Sequence, residues 1–207
     1  MTTEITSQEE QILKQGIETI AVEGVRFFTV ESLAAKLGMS KKTIYKFFPT
    51  KEILLERIVD FFTGLMARKF RSIIASRENP VLKFVTIMEF ILSQIGRFSM
   101  EKVAEIKNRY PILWNKIEEF RLERIEDFYA ILSECQQQGY VRSTIDVHVA
   151  ATLYMNIINS TFQPEFFIKN NLAPRDAVKT FVRMITEGLF TGRGVQSARE
   201  YEERRSR

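Results

Sequence analysis

FFTVESLAAKLGMSKKTIYKFFPTKEILLERIV, residues 27–59, is the most informative stretch of this chain. Thr29 is a good N-cap for a helix over 30–37, with Leu33, Ala34 and Leu37 turned inward. Gly38 ends that helix, and Ser40 caps a second over 41–47 with Ile44 and Phe47 inward. Thr50 then caps a long helix from Lys51 into the low seventies. A short glycine turn sets two helices at a steep angle, so that the second can project into a groove. The outward side chains of that second helix are Lys41, Lys42, Thr43, Tyr45 and Lys46. Residues 36–51 hold five lysines and no acid, whereas residues 1–60 as a whole hold 8 basic and 9 acidic side chains. A local basic stripe in a near-neutral domain suits a face that meets DNA. On charge alone it suits a solvated helix face equally.

Outward from this stretch the chain reads helix after helix. Upstream, Ser7 and Glu10 have capping-box spacing for a helix over 8–23, with Ile12, Leu13, Ile17, Ile20 and Ala21 on one face. Downstream, Asn79-Pro80 opens a helix to about residue 97, and Ser99 caps another to Arg109. After Tyr110-Pro111 one long helix is expected over 112–138, stopped by Gly139. Asp146 starts a helix running to about Phe162, and Pro164 interrupts the pattern. Pro174 opens the last main helix, 175–190, closed by Gly192 and Gly194. Residues 193–207 form a charged tail, either a frayed helix or disordered. The fold class is therefore all-α. An N-terminal three-helix helix-turn-helix domain, residues 1–50, joins a larger helical domain, residues 51–192.

Composition agrees. The chain has 207 residues, enough for a real core without staples. Five Pro and nine Gly leave room for long helices. The single cysteine, Cys135, excludes an intramolecular disulfide and fits a reducing compartment. No leader-like N-terminus is visible, and no apolar run reaches the ~18 residues of a membrane span, so a cytoplasmic location without membrane contact is expected.

The same 27–59 stretch closely resembles the DNA-binding region of TetR-family regulators, through T-V-x-x-L-A-x-K-L-G-M-S, then T-I-Y-K-F-F, then K-E-x-L-L. With the first helix the resemblance covers about residues 8–60. It implies roles position by position. Thr29 faces a phosphate at the start of the second helix. Ser40, Lys41, Lys42 and Thr43 reach base edges in the major groove, where lysine donates to guanine and a threonine methyl meets a thymine methyl. Tyr45 contacts phosphate with Lys46 beside it, and Lys51 binds phosphate at the start of the fourth helix. Lys42 stands where many members of the family have a small residue.

The resemblance also implies a homodimer on a palindromic operator, because one recognition helix reads too few base pairs. Two such helices then lie about one turn, roughly 34 Å, apart or at a multiple of it. The family builds its dimer from the last two main helices, which here offer Leu153, Ile157, Ile158, Phe181, Ile185 and Leu189. It places an apolar inducer pocket in the middle of the chain, where Phe62, Met66, Phe84, Met88, Phe98, Trp114, Phe120 and Phe128 are the candidates. An aromatic stripe at helical spacing fits plain core as well.

The remaining single residues carry no chemistry of their own. His148 has no companion at metal-ligand spacing, and no metal or cofactor is expected. Cys135 is either a redox sensor or a small packing residue. Glu118, Glu119, Glu123, Glu126 and Asp127 are interleaved with arginines and read as solvated ion-pair partners on a long helix. No nucleophile–base pair and no phosphate-cradling loop is visible, so an enzyme is not expected. The sequence reads as a DNA-binding transcription regulator, a repressor released by a small apolar or amphipathic inducer. The alternative is a protein of the same fold that answers to a protein partner or to no small ligand.

Overall fold

The computed structural model describes residues 6–205. Among them the chain forms α1 (Ser7–Glu23), α2 (Val30–Leu37), α3 (Lys41–Phe47), α4 (Lys51–Ile74), α5 (Pro80–Ile95) and α6 (Met100–Arg109). Then follow α7 (Pro111–Leu122), α8 (Ile125–Gln137), α9 (Val147–Ser160), α10 (Pro164–Lys169), α11 (Pro174–Leu189) and α12 (Gly192–Arg205). Apart from one isolated antiparallel bridge between Val141 and Phe190, the described residues contain no β-structure. None of these helices is long and apolar enough to cross a membrane.

The described residues fall into two compact units. One comprises the residues up to Met66 together with Arg97–Ile117; the other comprises Ala67–Gly96 and the residues from Glu118 onward. The first unit has a core of its own. Ile12, Leu13 and Ile17 of α1, Leu33 and Ala34 of α2 and Ile44 of α3 share one cluster with Leu54, Leu55 and Ile58 of α4. Ile106 of α6 and Leu113 of α7 complete it. The helix-turn-helix is thus held by side chains well beyond residue 50. Each fully buried aliphatic side chain here contributes about 1.5–3 kcal/mol relative to exposure.

Local chemistry sets the helix ends. The capping box of α1 falls one residue earlier than the spacing suggests: Thr6 and Glu9, not Ser7 and Glu10, exchange the reciprocal bonds. α1 has no basic residue in its last turn, and Lys102 of α6 donates its ammonium to the carbonyls of Ala21 and Val22 instead. That places a cation at the negative end of the α1 dipole. α1 crosses α4 at Gly16, where an added Cβ would lie 2.9 Å from Cγ1 of Ile58. Glycine there permits the close approach.

In the second unit the long helix expected over 112–138 is broken into α7 and α8 at Glu123–Arg124. Arg124 lays its guanidinium 4.8 Å over the Phe120 ring across the break and pairs at 3.0 Å with Asp127 in the first turn of α8. The acids around this break are not uniformly solvated as expected; burial of Asp127 pushes its carboxyl above the ordinary range, against the opposing pull of Arg124 and Arg71. Lys83 is buried beside Glu134, with Nζ–Oε2 at 3.0 Å. The expected tail is also revised: from Gly192 the chain is helical, with Ala198 buried and Tyr201 within 3.1 Å of the Thr86 hydroxyl. Apolar positions inside a very polar segment give that docked face.

Candidate nucleic-acid interface

The interface begins with how α3 is held. Ile44 is completely buried and Phe48, just past the helix, is nearly so, while Phe47 is half-buried against the same core. These anchors fix the helix through its inward face and leave Lys41, Lys42, Tyr45 and Lys46 exposed on the other. Gly38 between α2 and α3 adopts φ +62° and ψ +27°, the left-handed conformation that sets the turn. A helix of 7 residues with four exposed long side chains has little packing reason to exist by itself.

Each cap serves structure first. The Thr29 hydroxyl accepts from the Ser32 amide at 3.1 Å, and its own hydrogen stays available as a donor. The Ser40 hydroxyl accepts from the Thr43 amide at 3.1 Å and lies 2.9 Å from the Thr43 hydroxyl. Thr43 is half-buried, and its hydroxyl is engaged with that of Ser40. Thr50 caps α4 by accepting from Ile53 at 3.1 Å. Lys51 is half-buried in the first turn of α4, its ammonium 5.9 Å over the Phe28 ring.

Not all of the lysines are equivalent. Lys41 is held by Glu31 of α2 at 2.6 Å. The bond to Lys41 draws the Glu31 carboxyl below its ordinary range, and the bond from Glu31 raises the Lys41 ammonium correspondingly. Both groups are fully exposed, so solvent screens the pair. Lys36 turns away from the exposed face of α3, toward Glu23 and the Thr19 hydroxyl. The sequence does not reveal the Glu31–Lys41 pair, because ten residues across a turn is no helical spacing. A further feature it does not single out lies two residues before Thr29. Phe27 is 64% exposed, with the Arg26 guanidinium 5.4 Å from its ring.

The residues considered for a pocket sit in different settings. In the first unit Phe62 and Phe98 meet edge-on at 5.9 Å, Met66 is buried, and Trp114 is buried with the Lys107 ammonium 5.6 Å from its ring. In the second unit Phe84, Phe128, Tyr154 and Phe190 form one aromatic cluster, and the Tyr154 hydroxyl donates to the Met88 sulfur at 3.2 Å. Burial pushes that hydroxyl far above the ordinary tyrosine range. Phe120 stacks on Phe70 at 6.3 Å. Of the residues considered for a dimer face, Leu153 and Ile157 on α9 are exposed, at 59% and 37%. Ile158, Phe181, Ile185 and Leu189 are half-buried, and Phe181 stacks on Tyr154 at 5.2 Å. Met184 on α11, which the sequence does not single out, is 66% exposed.

Residues 12–58 match the family model described as bacterial regulatory proteins, tetR family. An uncharacterized HTH-type transcriptional regulator of Bacillus subtilis, YvaF, is 28% identical over 182 residues, which is 87% of this chain and 95% of that protein. A transcriptional regulator from Cytophaga hutchinsonii has a similar fold, with a TM-score of 0.69 at 14% identity, covering 90% of this chain and all of the other. FadR from Bacillus subtilis, solved in complex with stearoyl-CoA, has a TM-score of 0.59 at 20% identity, covering 86% of this chain and 98% of the other.

Proposed function

Because the chain belongs to the tetR family of bacterial regulatory proteins, we propose that it is a homodimeric repressor that reads a palindromic operator and leaves it when a small amphipathic molecule binds. It acts by binding rather than by catalysis. The observation that carries this reading is α3: a short helix locked by Ile44 and Phe48, with Lys41, Lys42, Tyr45 and Lys46 all turned outward. Lys42 and the Thr43 methyl read base edges. The Tyr45 hydroxyl, Lys46, Lys51 and the Thr29 hydroxyl bind phosphate and fix the register. Arg26, above Phe27, adds a phosphate contact beside Thr29.

The dimer uses the exposed apolar side chains of α9 and α11, centred on Leu153, Ile157 and Met184. Packed against their symmetry mates, these two helices make a four-helix bundle and set the spacing of the two α3 helices. The amphipathic ligand is supported by the aromatic interior of the second unit and by the stearoyl-CoA complex of the fold neighbour.

The test separates reading from positioning. Tyr45→Ala and Lys51→Ala should weaken binding to operator and to random DNA alike, and Lys51→Ala should also flatten the salt dependence. Lys42→Ala should instead change preference at one or two base pairs, by about 1–3 kcal/mol. If all three variants bind with unchanged affinity and preference, α3 is not the reading head.

A further inference from the structure

A polar group with nothing to bind lies inside the second unit. Both polar atoms of the Asn159 carboxamide are buried, and neither has a hydrogen-bond partner. Native proteins nearly always resolve a buried donor and acceptor with protein, water or ligand. A leucine of similar size would remove the problem.

The surroundings say what kind of partner fits. α8 and α9 run antiparallel: the Gln136 amide donates to the Ile145 carbonyl at 2.8 Å, and the rings of Phe128 and Tyr154 lie 4.6 Å apart. The same register continues into α7, where Glu118 accepts from Gln163 at 3.2 Å. Gln163 also donates to the Asn159 main-chain carbonyl, so one bridging side chain links the Glu118 carboxylate to Asn159. Arg121 feels the charge of Glu118, and Arg124 pairs with Asp127. With Glu118 this close, and with Arg121 and Arg124 each beside a carboxylate, an anionic head group meets no unengaged cation here. On the α10–α11 side the wall is aromatic, with Phe162 5.2 Å from Phe181 and 5.9 Å from Phe166.

We propose that Asn159 is the specificity residue of the ligand site, and that it takes an uncharged head group presenting both a donor and an acceptor, such as an amide, on an apolar body. The carboxamide pairs with the head through both atoms, and the phenylalanines hold the body. This rests on the ligand-responsive reading above and narrows it to a chemical class.

Three ten-carbon acyl probes test it against the purified full-length protein without DNA: decanamide, methyl decanoate and decanoate. Calorimetry on wild-type protein should give about tenfold tighter binding for decanamide than for the methyl ester, and weaker binding still for the carboxylate. In Asn159→Leu, which should melt higher, the amide-to-ester ratio should fall to about one. Asn159→Ala gives the same ratio test should the leucine variant misfold. A wild-type ratio near one, no binding of decanamide, or a tenfold ratio retained in the variants overturns the proposal. The last outcome would assign the carboxamide to a trapped water. Operator release, measured separately with the same probes, keeps the two readings apart. Amide-selective binding through Asn159 that leaves the operator occupied overturns only the ligand-responsive reading. Release by probes regardless of Asn159 overturns only its role in recognition.

Discussion

Glu31→Gln probes whether Lys41 is held in reserve. In the free protein the Glu31 carboxylate holds Lys41 at 2.6 Å, so the cation nearest the start of α3 is already engaged. Reaching DNA requires Lys41 to exchange that partner for a phosphate or a base, while the carboxylate stays close to the phosphodiester backbone. Glutamine removes the competing partner and the like-charge repulsion together. The pair is fully exposed, so the gain is limited to the range of screened surface charges, about two- to fivefold in affinity per half-site. If the freed lysine takes up a phosphate, the slope of log K against log salt should also steepen by about 0.9 per subunit. Fluorescence anisotropy with a labelled operator over a range of potassium chloride concentrations reads both quantities. Weaker binding at unchanged slope would refute the reasoning, since Glu31 would then be orienting Lys41 for the complex.

Other consequences follow from the same geometry. Gly38→Ala should cost about 1 kcal/mol in thermal or urea unfolding, because the left-handed conformation penalises a Cβ although no atom stands within 4 Å of it. Cys135 is fully buried and its thiol is pushed up to about 12, chiefly by burial, so no thiolate forms near neutral pH. A thiol reagent should leave it unmodified in the native protein from pH 7 to 9 and label it fully in denaturant; rapid native labelling would contradict the packing role. Leu153→Glu combined with Met184→Glu should halve the mass measured by light scattering and abolish operator binding while helicity persists.

Much of the fold was legible because its signals are local. Thr29, Gly38, Ser40 and Asn79-Pro80 mark helix ends by the chemistry of a single residue or pair, and the structure uses each of them. The chain around α3 was equally readable: Ile44 lies inward and Lys41, Lys42, Tyr45 and Lys46 outward, as the helical period demands. What escaped depends on tertiary partners. The break at Glu123–Arg124 has no proline or glycine to announce it; it is accompanied by Arg124 stacking on Phe120 and pairing with Asp127. The last segment looked like a tail by composition, yet a few small and apolar positions suffice to dock it. Lys102 supplying the missing cation to the end of α1 joins residues some eighty positions apart. Asn159 gave no sequence signal at all, since an asparagine late in a helix is ordinary until both its polar atoms prove to be buried.

The most direct test of the central claim is a selection from random duplex DNA with the purified protein, sequencing the bound pool at near-physiological salt. A DNA-reading dimer predicts enrichment of a palindromic motif whose two half-sites are centred about one helical turn apart, or a multiple of it. Lys42→Ala should then relax one or two symmetry-related positions in it. A pool that shows no enrichment, from protein that is helical and dimeric, would contradict the claim that α3 reads sequence.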